Sequence, residues 1–189
     1  MTRPAVLFFL CSFVAPATVL ADSGTDRGEA EADAFTRAYA DACVAHATDL
    51  QGLRADHDAD EALRPELAAA FLGDREGDAW SLDSDAGQLV LVLPEGDTFC
   101  AVHVREADIE HARQAFVDLV SEAPDPIEAR EREEMADALA GDGDTRVVVW
   151  EWEVPDAPLK QRYTLNMGPP AADGRGQMMG TSALLPVDD

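Results

Sequence analysis

Lysine occurs once in this 189-residue chain, at position 160, and only 14 lysines and arginines stand against 38 aspartates and glutamates. A formal charge of −24 repels phosphate backbones, anionic lipid and anionic polysaccharide, so nucleic acid is excluded as a partner. Two readings of the acidity remain. One is a solvated, salt-adapted surface, since carboxylates stay hydrated and salt screens their mutual repulsion; it is favoured because the acids are spread through every segment. The other is a docking face for a basic partner.

Catalytic signatures are also missing. No serine sits in a nucleophile elbow, no glycine-rich phosphate loop follows a strand, and no HExxH occurs. "DHDAD" offers Asp56, Asp58 and Asp60 at alternate positions, but Glu61 and Leu67 stand where a calcium loop needs glycine and glutamate. The expectation is therefore no catalytic residue, no metal and no cofactor.

The longest apolar run lies at the start. "MTRPAVLFFLCSFVAPATVLA" has one basic residue, a short apolar stretch broken by Pro16, and Val19 and Ala21 at the −3 and −1 positions of a cleavage site. Residues 1–21 read as a cleaved signal peptide, which places the mature chain in the periplasm or medium, without membrane insertion. Cys11 follows "FFL", bulky where a lipoprotein signal needs small residues. Cleavage removes one arginine and no acid, so the mature chain is more negative still. Residues 22–32 lack an apolar anchor and read as a flexible acidic leader. Residues 33–189 suit a single domain.

Within that domain Phe35, Tyr39, Cys43, His46, Leu50 and Leu53 recur at steps of four and three, one face of a long helix. "RPELAAAFLG" reads as a short helix with proline in its first turn and Gly73 past its end. "QLVLVLP" and "TFCAVHVRE" read as a hairpin around "PEGD". Asp108 caps the next helix, whose stripe is Ile109, Ala112, Phe116 and Leu119 or Val120. "DPIE", residues 125–128, opens a charged outer helix that stops near Gly141. The last third reads as strands: "TRVVVWEWEV", "LKQRYTLNM" and "QMMGTSALL". The expected fold is α+β, a mainly antiparallel sheet of five to six strands with helices packed mostly on one face.

One register is specific. With a turn at 155–158, Trp152 faces Gln161, Trp150 faces Tyr163 and Val148 faces Leu165 on the core side. Glu153 then faces Lys160 and Glu151 faces Arg162 on the other side.

Cysteine and histidine recur together, as Cys43 with His46 and Cys100 with His103. Alternation along a strand puts Cys100 and His103 on opposite sides, so they cannot share one metal or act as nucleophile and base. Cys43 lies on a stripe that must cover the sheet. A Cys43–Cys100 disulfide is the favoured reading in an oxidising compartment, ahead of two free buried thiols and of a Cys/His metal site. Possible binding residues are His46, His103, Trp150 and Trp152, although a packed core or rim role is the commoner one for each.

The stretches "AFTRAYADACVAH", "AAAFLGDREGDAW", "LVLVLPEGDTFCAVHV" and "FVDLV", with "VWEWEV" and "RYTLNM" further on, resemble a family of uncharacterised secreted proteins and lipoproteins of proteobacteria. The resemblance implies an exported domain and supplies no activity; the missing lipobox departs from the lipoprotein members. The leading expectation is a non-enzymatic module of the cell envelope that binds a small ligand or a protein partner. The alternative is an envelope hydrolase or redox enzyme with a dispersed site.

Overall fold

The computed structural model describes residues 23–82, 84–96, 98–141, 143–169 and 176–187. The expected signal peptide lies outside them. The fold is α+β, built on one seven-stranded antiparallel sheet in the order β1-β2-β3-β7-β6-β5-β4. The strands are β1 Gly77–Leu82, β2 Leu89–Pro94, β3 Phe99–Val104, β4 Glu128–Glu131, β5 Arg146–Glu153, β6 Leu159–Met167 and β7 Met178–Pro186. The helices are α1 Ser23–Tyr39, α2 Leu50–Ala55, α3 Pro65–Leu72, α4 Ile109–Ser121 and α5 Glu133–Ala140.

Seven strands correct the expected five to six. The first addition, β1, reads as a loop from its glycine and aspartates, yet it buries Ala79 and Trp80. The second is β4, "EARE", which interrupts the expected charged helix and leaves α5 to start only at Glu133. None of α5 is fully buried, so it does lie on the outside.

The leader is also corrected. Residues 23–32 form the first turns of α1. They are held by a hydrogen bond from the Asp108 amide to the Gly28 carbonyl at 2.9 Å, and Glu31 and Ala32 are buried. The expected single long helix to Leu53 breaks into α1, a π-turn at Ala40–Val44, and α2. The break has a use. In a regular helix a step of four over-rotates by about 40°, whereas the wider turn, closed by Ala45 N–H to the Ala40 carbonyl at 2.9 Å, keeps Cys43 facing the sheet behind Phe35 and Tyr39.

The main core lies between the sheet and α1 with α4. It contains Phe35, Tyr39, Phe116, Leu91, Val102 and Leu165. Gly180 in β7 sits directly beneath α1: a Cβ there would lie 2.9 Å from the Tyr39 ring and 3.0 Å from that of Phe35. Glycine thus lets the two aromatics rest on the strand backbone, and the Tyr39 hydroxyl donates to the Thr181 carbonyl at 2.7 Å. The opposite face carries less. There α3 contributes Ala68 and Leu72 to a second cluster with Ala79, Val92 and Ala101. On the same side Val149 and Glu151 of β5 are fully buried.

The α4 cap is as expected, with Asp108 Oδ1 accepting from the His111 amide at 2.8 Å. So is the β5–β6 register, in which every expected pair is observed, from Val148 opposite Leu165 to Glu153 opposite Lys160. The turn between these strands places Asp156 at a φ of +62°, a conformation aspartate tolerates better than most residues.

Candidate functional site

An open groove of about 730 Å³ runs between α1 and the connection from β1 to β2. Its floor follows from the spacing of alanines. Ala30, Ala34, Ala38 and Ala42 recur every fourth residue along α1 and its π-turn, so they align on one face, and their small side chains leave a trough. The apolar wall opposite is Leu82 and Leu89, with Leu53 at one end. There His57 stacks on Trp80 with ring centroids 5.2 Å apart, and the Trp80 indole N–H donates to the Asp58 carbonyl at 3.1 Å.

A second row, displaced by one residue, carries the charge. Asp33, Arg37 and Asp41 are exposed at the same four-residue step along the rim, and Asp85 stands on the other side. Asp33 is engaged by His111, whose ring nitrogen lies 2.7 Å from its carboxylate. That hydrogen bond raises the imidazole's pKa above its ordinary value. Among the described residues, the side chains of Arg37, Asp41 and Asp85 make no ion pair or hydrogen bond.

A second cavity, of about 820 Å³, lies at the end of the sheet beside α2, Phe99 and Leu184. Three of its polar side chains, Asp49, Arg54 and Thr98, are committed to structure. Asp49 caps α2 by accepting from the Gly52 amide at 2.9 Å. Arg54 pairs with Asp78 and donates to the Leu93 and Pro94 carbonyls at 2.8 and 3.2 Å.

The two cysteines are joined. Cys43 and Cys100 form a disulfide with Cα atoms 5.5 Å apart, and both are completely buried. A buried disulfide points to an oxidising compartment.

The four possible binding residues are not brought together. His46 is half-buried in the turn that follows the π-turn. His103 lies on the α3 face of β3, edge-on to Phe71 at 5.2 Å. Burial there lowers its pKa to about 4. Trp150 and Trp152 pack against the core on the α1–α4 face, opposite to His103. The Trp152 indole N–H donates to the Val120 carbonyl at 2.6 Å, and its ring meets Tyr163 edge-on at 4.8 Å. Trp150 Nε1 and the side-chain amide of Gln161 are buried without a hydrogen-bond partner among the described residues.

The densest charge cluster is one the sequence showed only in part. Glu151 is fully buried, with Arg162 Nη2 at 2.8 Å, Lys160 Nζ at 3.3 Å and Arg132 also paired to it. Burial alone would raise its pKa; the Arg162 hydrogen bonds and the charges of Lys160, Arg132 and Arg162 override that and hold it below the ordinary value. Tyr39 and Tyr163, buried in the core, are both shifted upward, Tyr39 by burial and its neighbour Tyr163, and Tyr163 by burial alone. None of Glu151, Tyr39 and Tyr163 lines the groove.

The "DHDAD" segment is structural: Asp58 Oδ1 accepts from the Asp60 amide at 2.9 Å and caps a 3-10 turn at Ala59–Glu61. Among the described residues, no three His, Cys, Asp or Glu side chains are grouped to hold a metal ion, and no helix is long and apolar enough to cross a membrane.

Comparison with known proteins finds no match: no family model fits the chain, and no curated protein or solved structure is similar to it.

Proposed function

We propose that this chain is an exported, non-enzymatic binding module of the cell envelope, periplasmic or secreted, which holds a ligand or partner in the α1 groove. The observation that carries the reading is the groove itself, an apolar trough whose rim charges Arg37, Asp41 and Asp85 are left uncommitted by the fold. A recognition site needs such uncommitted groups on a rigid support. The support is α1, clamped near its end by the disulfide to β3. Export draws support from the buried disulfide and from the signal-like residues 1–21. A thiol-exchange role for Cys43 and Cys100 is disfavoured because exchange requires access to the sulfurs, and both residues are 0% exposed.

The test has two parts. Material recovered from the periplasm or medium of an expressing cell should begin at Asp22 by intact mass. Native mass spectrometry of that material should detect a bound species that is lost from an Ala38→Phe variant, in which the trough is filled. Retention of residues 1–21 in the cytoplasm, or a bound species unaffected by filling the groove, would overturn the proposal.

A further inference from the structure

We infer that the occupant of the α1 groove is an extended peptide segment with basic, acidic and basic residues at alternate positions and aliphatic residues between them. The inference rests on the binding-module reading and goes beyond it by naming the partner's chemistry. It starts from a match of two repeats. Asp33, Arg37 and Asp41 lie four helical residues apart, and four residues of helix rise about 6 Å. Two residues of extended chain advance about 6.6 Å. An extended segment lying along α1 therefore presents every second side chain to successive members of the row. The order acid, base, acid on the helix calls for base, acid, base on the segment.

The intervening side chains of an extended chain point the other way. Across the groove from α1 they meet the half-buried Leu82, which asks for aliphatic residues there. The alanines beneath leave room for the segment's backbone. The trough from Ala30 to Ala42 spans twelve residues, about 18 Å, which accommodates five extended residues at about 3.3 Å each. Asp85, on the far side, adds negative potential and favours a net positive segment. A polyamine satisfies the acids but places charge against Arg37 and leaves the apolar wall uncovered.

The experiment uses the mature chain and fluorescently labelled, end-capped pentapeptides read by anisotropy at low salt. Arg-Leu-Glu-Leu-Arg carries the predicted pattern. Arg-Arg-Leu-Leu-Glu has the same composition and net charge, so general attraction to an acidic protein is equal for both. The patterned peptide should bind about five-fold tighter than its permutation, as expected for a few exposed charge pairs in register. Arg37→Glu, at an exposed position, should reverse the choice at the central residue, so that Arg-Leu-Arg-Leu-Arg gains over Arg-Leu-Glu-Leu-Arg. Ala38→Phe, checked for folding by near-ultraviolet circular dichroism, should abolish the difference between the permutations.

Equal binding of the two permutations would overturn the segment assignment while leaving the module reading intact. So would spermine displacing the patterned peptide at equal concentration. A preference that survives both Arg37→Glu and Ala38→Phe would place the segment elsewhere and overturn the groove as its site.

Discussion

Replacing Glu151 by glutamine tests the physical account of the sheet's second face most directly. The carboxylate is fully buried and answers three cations. Their side chains differ in access: Arg132 is 40% exposed and Arg162 24%, but Lys160 only 4%. Once the carboxylate is neutral, the two arginines can turn toward water, while the ammonium cannot without moving β6. Breaking a buried pair by removing one partner costs about 3–5 kcal/mol. Hydration of the arginines puts the expectation near the lower end, about 3 kcal/mol. For a domain of this size each kcal/mol shifts the melting temperature by about 2–4 °C, so a fall of about 6–12 °C is expected. Urea denaturation monitored by tryptophan fluorescence measures the loss, and an unchanged slope would show that the unfolded state is not responsible. A companion variant, Glu151→Leu with Lys160→Met, removes both buried charges and should regain most of the loss. A Glu151→Gln loss below about 1 kcal/mol, the range of exposed pairs, would refute the reasoning; so would a double variant less stable than the single one.

Replacing both Cys43 and Cys100 by alanine opens a cross-link separated by 57 residues and should cost about 4 kcal/mol in the chain-entropy account; the unreduced wild type, even when unfolded, should not react through these two residues with a thiol reagent. His103 is held neutral by burial, with a folded pKa of about 4 against about 6.5 unfolded. Its contribution to stability is thus complete above pH 6.5 and declines as the pH falls from there toward 4; His103→Leu should flatten that part of the curve, and nuclear magnetic resonance should place the imidazole midpoint near 4. Glu151 acts lower on the scale: because its folded pKa is depressed, its contribution is present above the unfolded carboxylate range and is lost as the pH falls through the folded value. With a formal charge of −24, the melting temperature should rise as salt is added from very low concentration, and a flat or falling profile would remove self-repulsion as a factor.

The β5–β6 hairpin was legible residue by residue because its two faces differ in kind, tryptophans on one and glutamates on the other, so any slip of one residue is costly. The disulfide was legible because each cysteine occupied a core position on a strongly periodic element. Strand β4 was not. "EARE" has no strand propensity of its own; it lies against β5, and Arg132 just beyond it reaches the Glu151 carboxylate, a partner some twenty residues away. The first turns of α1 were hidden for the same reason, since what orders them is the Asp108 amide on Gly28. The groove joins α1 to a connection more than forty residues distant, so no local window contains it. Its one signal was the alanine series at 30, 34, 38 and 42 beside Asp33, Arg37 and Asp41.

The order of the strands bears on how the chain can be assembled during vectorial synthesis. Strands β1 to β3 form one meander and β4 to β6 another, and β7, the last in chain order, lies between β3 and β6. Until β7 has emerged, each meander ends in a row of unpaired amides and carbonyls. The disulfide belongs wholly to the first meander and the helix above it, so oxidation can secure that half before the second exists. Closure then waits on a single late segment that must enter between two preformed edges, pairing with Phe99–Val104 on one side and Leu159–Met167 on the other. The interval before it arrives is when the chain exposes the edges of β3 and β6 in addition to the outer strands β1 and β4, and is most open to pairing with another molecule.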